Sequence, residues 1–162
     1  MKHLKPQAGF SLVDMIMGLS IIAVAIVGIQ IAQNNYVNMS SRTEVRLRAI
    51  SVGNSVMNVI RMHRFDENSK APWDSTWGIN TGETSMALYD DIDDYAGAVW
   101  DFSGDGINGY SITSRVFSVN ISSSWLDSVD YFTSYKRIIV QVSHPILDFP
   151  VIFTSLMTGI DE

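Results

Sequence analysis

The chain has 162 residues, with 17 acidic residues against 11 Lys and Arg, so its formal net charge is −6. This balance argues against a nucleic-acid-binding protein, which would present a basic face. The absence of cysteine excludes disulfides, thiolate metal sites and a cysteine nucleophile. Charged residues make up only 17 % of the chain, whereas about 25 % is usual for a soluble domain, and one N-terminal segment accounts for the difference.

The N-terminal segment has the pattern of a leader followed by a membrane helix. Residues 1–9 (MKHLKPQAG) carry Lys2 and Lys5, and an apolar run follows over residues 10–32. This run is close to the roughly 20 residues that cross a bilayer core as a helix. Because the basic residues precede the run and the next one is Arg42, the pattern predicts a cytoplasmic N-terminus and a domain across the membrane.

Asp14 is an acidic residue inside the apolar run. A carboxylate in a membrane helix costs about 2.5 to 3.5 kcal/mol on insertion scales, which makes it a functional candidate that needs a partner. Cleavage between Gly9 and Phe10 would create an amino terminus four residues before Asp14. That ammonium could pair with the carboxylate of the same or a neighbouring molecule. An uncleaved single-pass anchor is the alternative.

Residues 5–14, KPQAGFSLVD, resemble the class III signal of type IV pilins and pseudopilins. That family has a short basic leader ending in Gly, then Phe-[ST]-Leu-[IV]-Glu and an apolar helix. The resemblance implies that a prepilin peptidase cuts between Gly9 and Phe10 and N-methylates Phe10. It also implies an assembly role for Asp14, which stands where the family usually has Glu. Many pilins carry a C-terminal disulfide, whereas the C-terminal strands of this chain must hold by packing alone.

A helix is predicted to continue to residue 64, because residues 33–64 contain no proline. An apolar stripe follows at steps of seven, four and three or four residues: Val45, Val52, Val56 and Val59 or Ile60. Such spacing places these side chains on one helix face. Ala49 and Gly53 lie beside the stripe, where their small size would allow a sheet to approach. We therefore expect this half of the helix to pack against its own domain.

The rest of the chain, residues 65–162, is predicted to be a globular head. Turn formers at 65–71 and then Pro72 close the helix. Trp73 and Trp77 are expected to cover a hydrophobic seam under a long loop, with sugar stacking as the alternative.

Three strands are predicted late in the head from alternating apolar residues. Their proposed inward faces are as follows: Phe117, Val119 and Ile121 in residues 115–121; Ile138, Val140 and Val142 in residues 136–142; Val151 and Phe153 in residues 149–156. Short connections favour an antiparallel meander that covers the helix stripe. A long helix followed by such a sheet is the α+β pattern.

The middle of the head is acidic. Residues 89–95 (YDDIDDY) place four carboxylates in five positions, and residues 101–106 (DFSGDG) match the first half of a calcium loop. Ile112 stands where an EF-hand needs a bidentate Glu, so an EF-hand is excluded. An irregular Ca2+ site is left as a hypothesis, with these ligands: Asp101, Asp105, the backbone of Ile107, and Asp93 or Asp94. The alternative is a turn built from Asp and Gly, with the 90–94 run exposed to solvent.

The sequence shows no catalytic constellation. His63 and His144 are isolated, and the glycines at 104–109 lack the strand, helix and Gly-Lys-[ST] of a phosphate loop. Paired carboxylates could serve a glycosidase, but no other feature indicates one. We therefore expect that the protein is not an enzyme, with a membrane-anchored hydrolase as the rival class.

Two internal segments carry a narrower resemblance. Residues 64–69 (RFDENS) and 90–97 (DDIDDYAG) resemble MshD-type minor pilins of the mannose-sensitive haemagglutinin (MSHA) pilus, and more loosely the minor pseudopilins of type II secretion. The resemblance implies four parts: leader 1–9, transmembrane and filament-core helix 10–32, amphipathic helix 33–64 and head 65–162. The implied partners are prepilin peptidase, major and minor pilins and the inner membrane of a Gram-negative bacterium.

The implied location is an inner-membrane protein with a periplasmic head, which then enters a pilus at the cell surface and supports adhesion. A minor pseudopilin and a single-pass anchored calcium-binding or adhesin domain are the alternatives.

Overall fold

The computed structural model describes residues 11–73, 77–102 and 107–159. The chain divides into two compact units, Met1–Ser41 and Arg42–Glu162. A single helix, α1 (Leu12–Arg61), contributes its first part to one unit and its second part to the other. The predicted long helix is thus confirmed, and it ends three residues before the predicted residue 64.

In the N-terminal unit, α1 is apolar on every side over residues 12–32, and its large side chains are exposed. Leu12, Leu19 and Val24, for example, are each about 70 % exposed. The most apolar 18-residue window has a hydropathy of 2.5, and none of it is buried. By length and composition, this helix is able to cross a membrane, as an anchor or as a signal segment.

The C-terminal unit contains a five-stranded antiparallel sheet. The strands are β1 (Val99–Trp100), β2 (Ser111–Asn120), β3 (Ser124–Ser128), β4 (Tyr135–Ser143) and β5 (Val151–Thr158). Their order is β1-β2-β4-β5, and β3 pairs with the end of β2. Short connections join β2 to β3 and β4 to β5, as expected for antiparallel neighbours. The α+β layout, with a long helix packed on an antiparallel sheet, is confirmed.

The core lies between the second part of α1 and one face of the sheet. The helix buries Ala49, Val52, Gly53, Val56, Met57 and Ile60. Ile60 completes the stripe, because it is fully buried whereas Val59 is 41 % exposed. The predicted close approach at Gly53 is also confirmed, since three ring atoms of Phe153 would lie within 3.0 Å of a Cβ added there.

Of the three residues placed on the inward face of the first long strand, only Val119 is fully buried, and it lies outside the core cluster that contains the helix residues. In β2 the side chains of Ile112 and Val116 join the core cluster, so the even-numbered positions face the helix. Phe117 points the other way, with the Arg137 guanidinium 4.9 Å from its ring centroid. Ile121 lies beyond the strand and is 45 % exposed.

Two inward positions of β2 are occupied by serine, so the buried face does not show as an apolar pattern in the sequence. Ser114 and Ser118 are both buried. The Ser114 hydroxyl donates to the Tyr95 carbonyl at 2.9 Å and accepts from the Trp100 indole N–H at 3.0 Å. Satisfying these groups allows a polar side chain to occupy a core position.

The faces predicted for the last two strands are confirmed. Ile138, Val140 and Val142 are fully buried in β4, and Val151 and Phe153 of β5 pack against the same core.

The two early tryptophans of the head make separate aromatic contacts. Trp73 packs edge-on against Phe65 with ring centroids 4.9 Å apart, and Trp77 lies against Phe132 at 5.8 Å. Both therefore help to cover the apolar side chains under the loop residues that precede β1.

Candidate functional site

The described part of α1 begins with a reciprocal cap between Ser11 and Asp14. The Ser11 hydroxyl accepts the N–H of Val13 at 3.3 Å, and Asp14 Oδ2 accepts the N–H of Ser11 at 3.3 Å. This Ser-x-x-Asp arrangement is a capping box, which satisfies N–H groups left unpaired at a helix start. Gly9 and Phe10, the predicted cleavage pair, lie outside the described residues.

Asp14 therefore has a structural role that sequence reasoning missed, although the Ser-x-x-Asp spacing signals it. Its side chain is exposed and lies at the positive end of the helix dipole. The cap uses one carboxylate oxygen, so the side chain can still accept another partner.

The acidic segment 90–94 is attached to the end of the helix region by its backbone. Arg64 N–H donates to the Asp90 carbonyl at 3.3 Å, and Ile92 N–H donates to the Arg64 carbonyl at 3.0 Å. Ile92 is fully buried in the core cluster. These contacts draw the neighbouring aspartates into the interior.

The expectation that this run is exposed to solvent is wrong for three of its four aspartates. Asp91, Asp93 and Asp94 are at most 3 % exposed. A short 3-10 turn, Asp93–Tyr95, sets their direction. Since Ile92 and Tyr95 on either side of it are core residues, burying them carries the carboxylates inside.

Two of the buried carboxylates satisfy backbone N–H groups of their own turn. Asp91 Oδ1 accepts from Asp93 at 2.9 Å and from Asp94 at 3.4 Å. Asp94 Oδ2 accepts from Asp90 at 3.0 Å and from Asp91 at 3.2 Å. The Asp94 Oδ1 atom has no hydrogen-bond partner.

A second pair of carboxylates, Asp66 and Asp93, holds a buried cation. Lys136, at the start of β4, is fully buried. Its Nζ forms ion pairs with Asp66 Oδ2 at 2.9 Å and with Asp93 Oδ1, and it donates to the Phe65 carbonyl at 2.8 Å. Nζ also lies 4.7 Å from the Phe65 ring centroid. All three ammonium protons therefore have acceptors, as a buried lysine requires.

Lys136 was not among the predicted site residues. A signal existed, because Lys136 has the same strand parity as Ile138, Val140 and Val142, all of which face the core. A cation at an inward position needs an acidic partner, and that partner comes from the acidic run.

Burial favours the neutral form of the Asp91 and Asp94 carboxyl groups, because it raises the pKa of each. Burial, with the neighbouring Asp93 charge second, raises the pKa of Asp91 to about 8. Burial likewise raises the pKa of Asp94. The amide N–H groups of Asp91 and Asp90 oppose that rise, and contact with the Glu83 carboxyl adds to it.

The predicted calcium ligands that the structure describes have different surroundings. Asp93 is engaged at both oxygens, by Lys136 and by the Gly78 N–H at 3.3 Å. Ile107 packs against the core cluster, and Asp105 lies outside the described residues, so the predicted loop site stays a prediction. Two other groups have carboxylate oxygens within 4.8 Å of one another: Glu67, Asp90 and Asp91; Glu83, Asp90 and Asp94.

The two described histidines make local contacts. His63 Nδ1 lies 2.8 Å from the Val59 carbonyl, and its Nε2 lies 3.3 Å from the Tyr95 hydroxyl. His144 Nδ1 accepts the Ile146 N–H at 3.1 Å. Each imidazole ring is thus fixed by contacts with neighbouring protein groups.

An aromatic groove of about 370 Å³ opens beside β2. Trp77, Tyr131 and Phe132 line it, together with Ser118, Ser128 and Asp130. Aromatic faces beside hydroxyl and carboxyl groups are typical of surfaces that bind polar ring-shaped ligands.

Comparison of the chain with protein-family models, curated proteins and solved structures finds no match.

Proposed function

We propose that the chain is a minor type IV pilin of the MSHA type. A prepilin peptidase removes the leader, and the apolar helix then joins a pilus with major and minor pilin subunits. The observation that carries the proposal is the helix of residues 12–32, which is apolar and exposed on every side and follows directly after the leader-like residues 1–9.

An apolar helix without a polar face needs lipid or other apolar helices around it. Lipid of the inner membrane supplies this environment before assembly, and neighbouring pilin helices supply it in the filament. A head-to-tail assembly of this kind extends without closing. Lys2 and Lys5 stay on the cytoplasmic side, so the head lies in the periplasm of a Gram-negative bacterium and later at the cell surface, where it supports adhesion.

Asp14 supplies the specific contact in this mechanism. Its carboxylate pairs with the ammonium of Phe10 in the assembly, which removes an unpaired charge from the apolar environment. Because the capping box uses one oxygen of an exposed side chain, the same residue can start its own helix and still receive an ammonium.

Processing is tested by replacing Gly9 with Val. We expect the wild-type chain to yield a mature protein that begins at methylated Phe10, and the variant to retain its leader on a gel. Mass spectrometry of the N-terminus reads both. A mature wild-type protein that begins at Met1 would show instead that the segment is a plain anchor.

The role of Asp14 is tested by separating charge from capping. Asp14→Asn keeps an oxygen that can accept the Ser11 N–H but removes the charge, whereas Asp14→Glu keeps the charge and lengthens the side chain. We expect both variants to be cleaved, with Asn reducing incorporation into sheared pili at least about tenfold, because an ion pair in an apolar environment is lost. The exposed Asp127→Asn is the matched control. Normal incorporation of Asp14→Asn would refute the pairing.

The aromatic groove favours one second candidate, a single-pass anchored adhesin domain. That protein would keep Met1 and bind its ligand through Trp77 and Phe132. N-terminal sequencing separates it from a pilin.

A minor pseudopilin of type II secretion would share the leader chemistry, so a deletion strain distinguishes it by losing protein secretion rather than pili.

A further inference from the structure

The acidic region of the head has more carboxyl groups than cations. Seven carboxyl groups belong to it: Asp66, Glu67, Glu83, Asp90, Asp91, Asp93 and Asp94. Among the described residues, their ion pairs come from two cations. Lys136 pairs with Asp66 and Asp93, and Arg64 contacts Asp90 and Glu67. Glu83, Asp91 and Asp94 therefore depend on something other than these two cations for neutralisation.

One carboxylate oxygen of Asp94 is buried without a hydrogen-bond partner. The residue is 1 % exposed, its Oδ2 is occupied by two backbone N–H groups, and its Oδ1 has no partner. A buried polar atom without a partner costs about 1 to 3 kcal/mol, more when it is charged. Such an atom in a folded protein indicates a missing proton or ligand.

Glu83 contributes a second carboxyl group, in contact with that of Asp94. The Oε2 atom of Glu83 accepts the N–H of Asn80 at 2.7 Å, which fixes the side chain. Oxygens of Glu83, Asp90 and Asp94 lie within 4.8 Å of one another. Two carboxylates at this separation repel unless positive charge lies between them. Because Arg64 contacts Asp90 through Oδ2, Asp90 can hold Arg64 and a second cation through different oxygens.

We propose that Glu83, Asp90 and Asp94 bind a hard divalent cation of the calcium class. The ligands are all oxygens, and no His or Cys belongs to the group, which favours such ions over zinc or copper. The cation would satisfy Asp94 Oδ1 and tie the loop around residue 83 to the turn at residues 93–95. The site differs from the loop at 101–107 that the sequence pattern indicates, and it does not depend on the pilin proposal.

The test uses the full chain in a mild non-ionic detergent. Ca2+ is titrated by calorimetry, and Tb3+ is titrated by luminescence, which Tyr89 and Tyr95 beside the site can sensitise. Wild type is expected to bind one Ca2+ per chain, and the thermal midpoint is expected to rise with Ca2+ and return with EDTA, since an ion that binds only the folded state stabilises it.

Four substitutions locate the ion. Glu83→Gln and Asp94→Asn each remove one charged ligand, and we expect each to weaken Ca2+ binding at least about tenfold and to abolish the Ca2+-dependent rise in the thermal midpoint. Glu67→Gln belongs to the other carboxylate group and Asp101→Asn to the predicted loop site, so both are expected to bind like wild type. Glu83 is only partly buried, so its variant is expected to fold.

Three outcomes would overturn the proposal. One is the absence of saturable Ca2+ binding by the folded wild-type chain, which would mean that a proton neutralises Asp94. Another is unchanged binding by Glu83→Gln. The third is loss of binding in Glu67→Gln or Asp101→Asn alone, which would place the ion in the neighbouring carboxylate group or in the loop.

Discussion

Replacing Lys136 with Met tests whether the buried ammonium holds the acidic segment inside the head. Met keeps an unbranched apolar side chain of similar length, so packing changes little. The substitution leaves Asp66 and Asp93, which are both at most 3 % exposed, without their cation, and it leaves the Phe65 carbonyl without its donor. Breaking a buried ion pair by removing one partner costs about 3 to 5 kcal/mol.

The expected loss is large against the total stability of a small domain, which is about 5 to 15 kcal/mol. At roughly 4 °C per kcal/mol for a domain of this size, the thermal midpoint of the head should fall by about 12 to 20 °C. Unfolding in detergent, followed by tryptophan fluorescence, reports this directly, because Trp77 lies 5.4 Å from Lys136 Nζ.

Two further variants serve as controls for this measurement. Lys70→Met removes an exposed cation and is expected to change stability by less than about 0.5 kcal/mol. In the triple variant with Asp66→Asn and Asp93→Asn, neither former partner of the ammonium keeps a charge, so at least half of the loss should be recovered. A cost below about 1 kcal/mol for Lys136→Met would refute the argument that the ammonium neutralises buried carboxylates.

Two further predictions concern packing and pH. Gly53→Ala would place a Cβ against the Phe153 ring, and the overpacking cost of about 1 to 3 kcal/mol exceeds the helix-propensity gain of about 1 kcal/mol. Denaturant unfolding should therefore show a net loss of stability near 1 kcal/mol. Adding Phe153→Leu should relieve this loss, and the control Gly28→Ala should not show it. The pKa of Asp91 is raised from 3.8 to about 8, so its contribution to folding is fully present below pH 3.8 and is lost as the pH rises toward 8. In EDTA, wild-type stability should fall between pH 5 and 8 by up to about 1.4 kcal/mol per pH unit, and Asp91→Asn should flatten this slope; an equal slope in both proteins would contradict the assignment.

The parts of the fold with simple periodicity could be predicted from the sequence. The long helix, the inward faces of β4 and β5 and the close approach at Gly53 follow from apolar spacing. The face of β2 could not be predicted, because the polar residues Ser114 and Ser118 occupy inward positions, and Ser114 finds its hydrogen-bond partners only in the folded chain.

The candidate site was harder to predict than the fold. The run at residues 90–94 looks like a solvated acidic loop until its flanking core residues, Ile92 and Tyr95, are recognised as the reason for burial. The partners of these aspartates are distant in sequence, so no local pattern connects them with Lys136. The capping box of Asp14, in contrast, is local, and its spacing is visible in the sequence.

The distance along the chain between Lys136 and its partners has a consequence for folding kinetics. The ammonium meets Asp93 from 43 positions away and Asp66 from 70 positions away. Closing loops of this length is entropically costly, and contacts of high sequence separation slow folding. During synthesis the aspartates at residues 66 and 93 also emerge before their lysine at residue 136. The head therefore cannot pair this acidic segment with its cation until β4 has been synthesised, which makes the final packing of the segment a late step of folding.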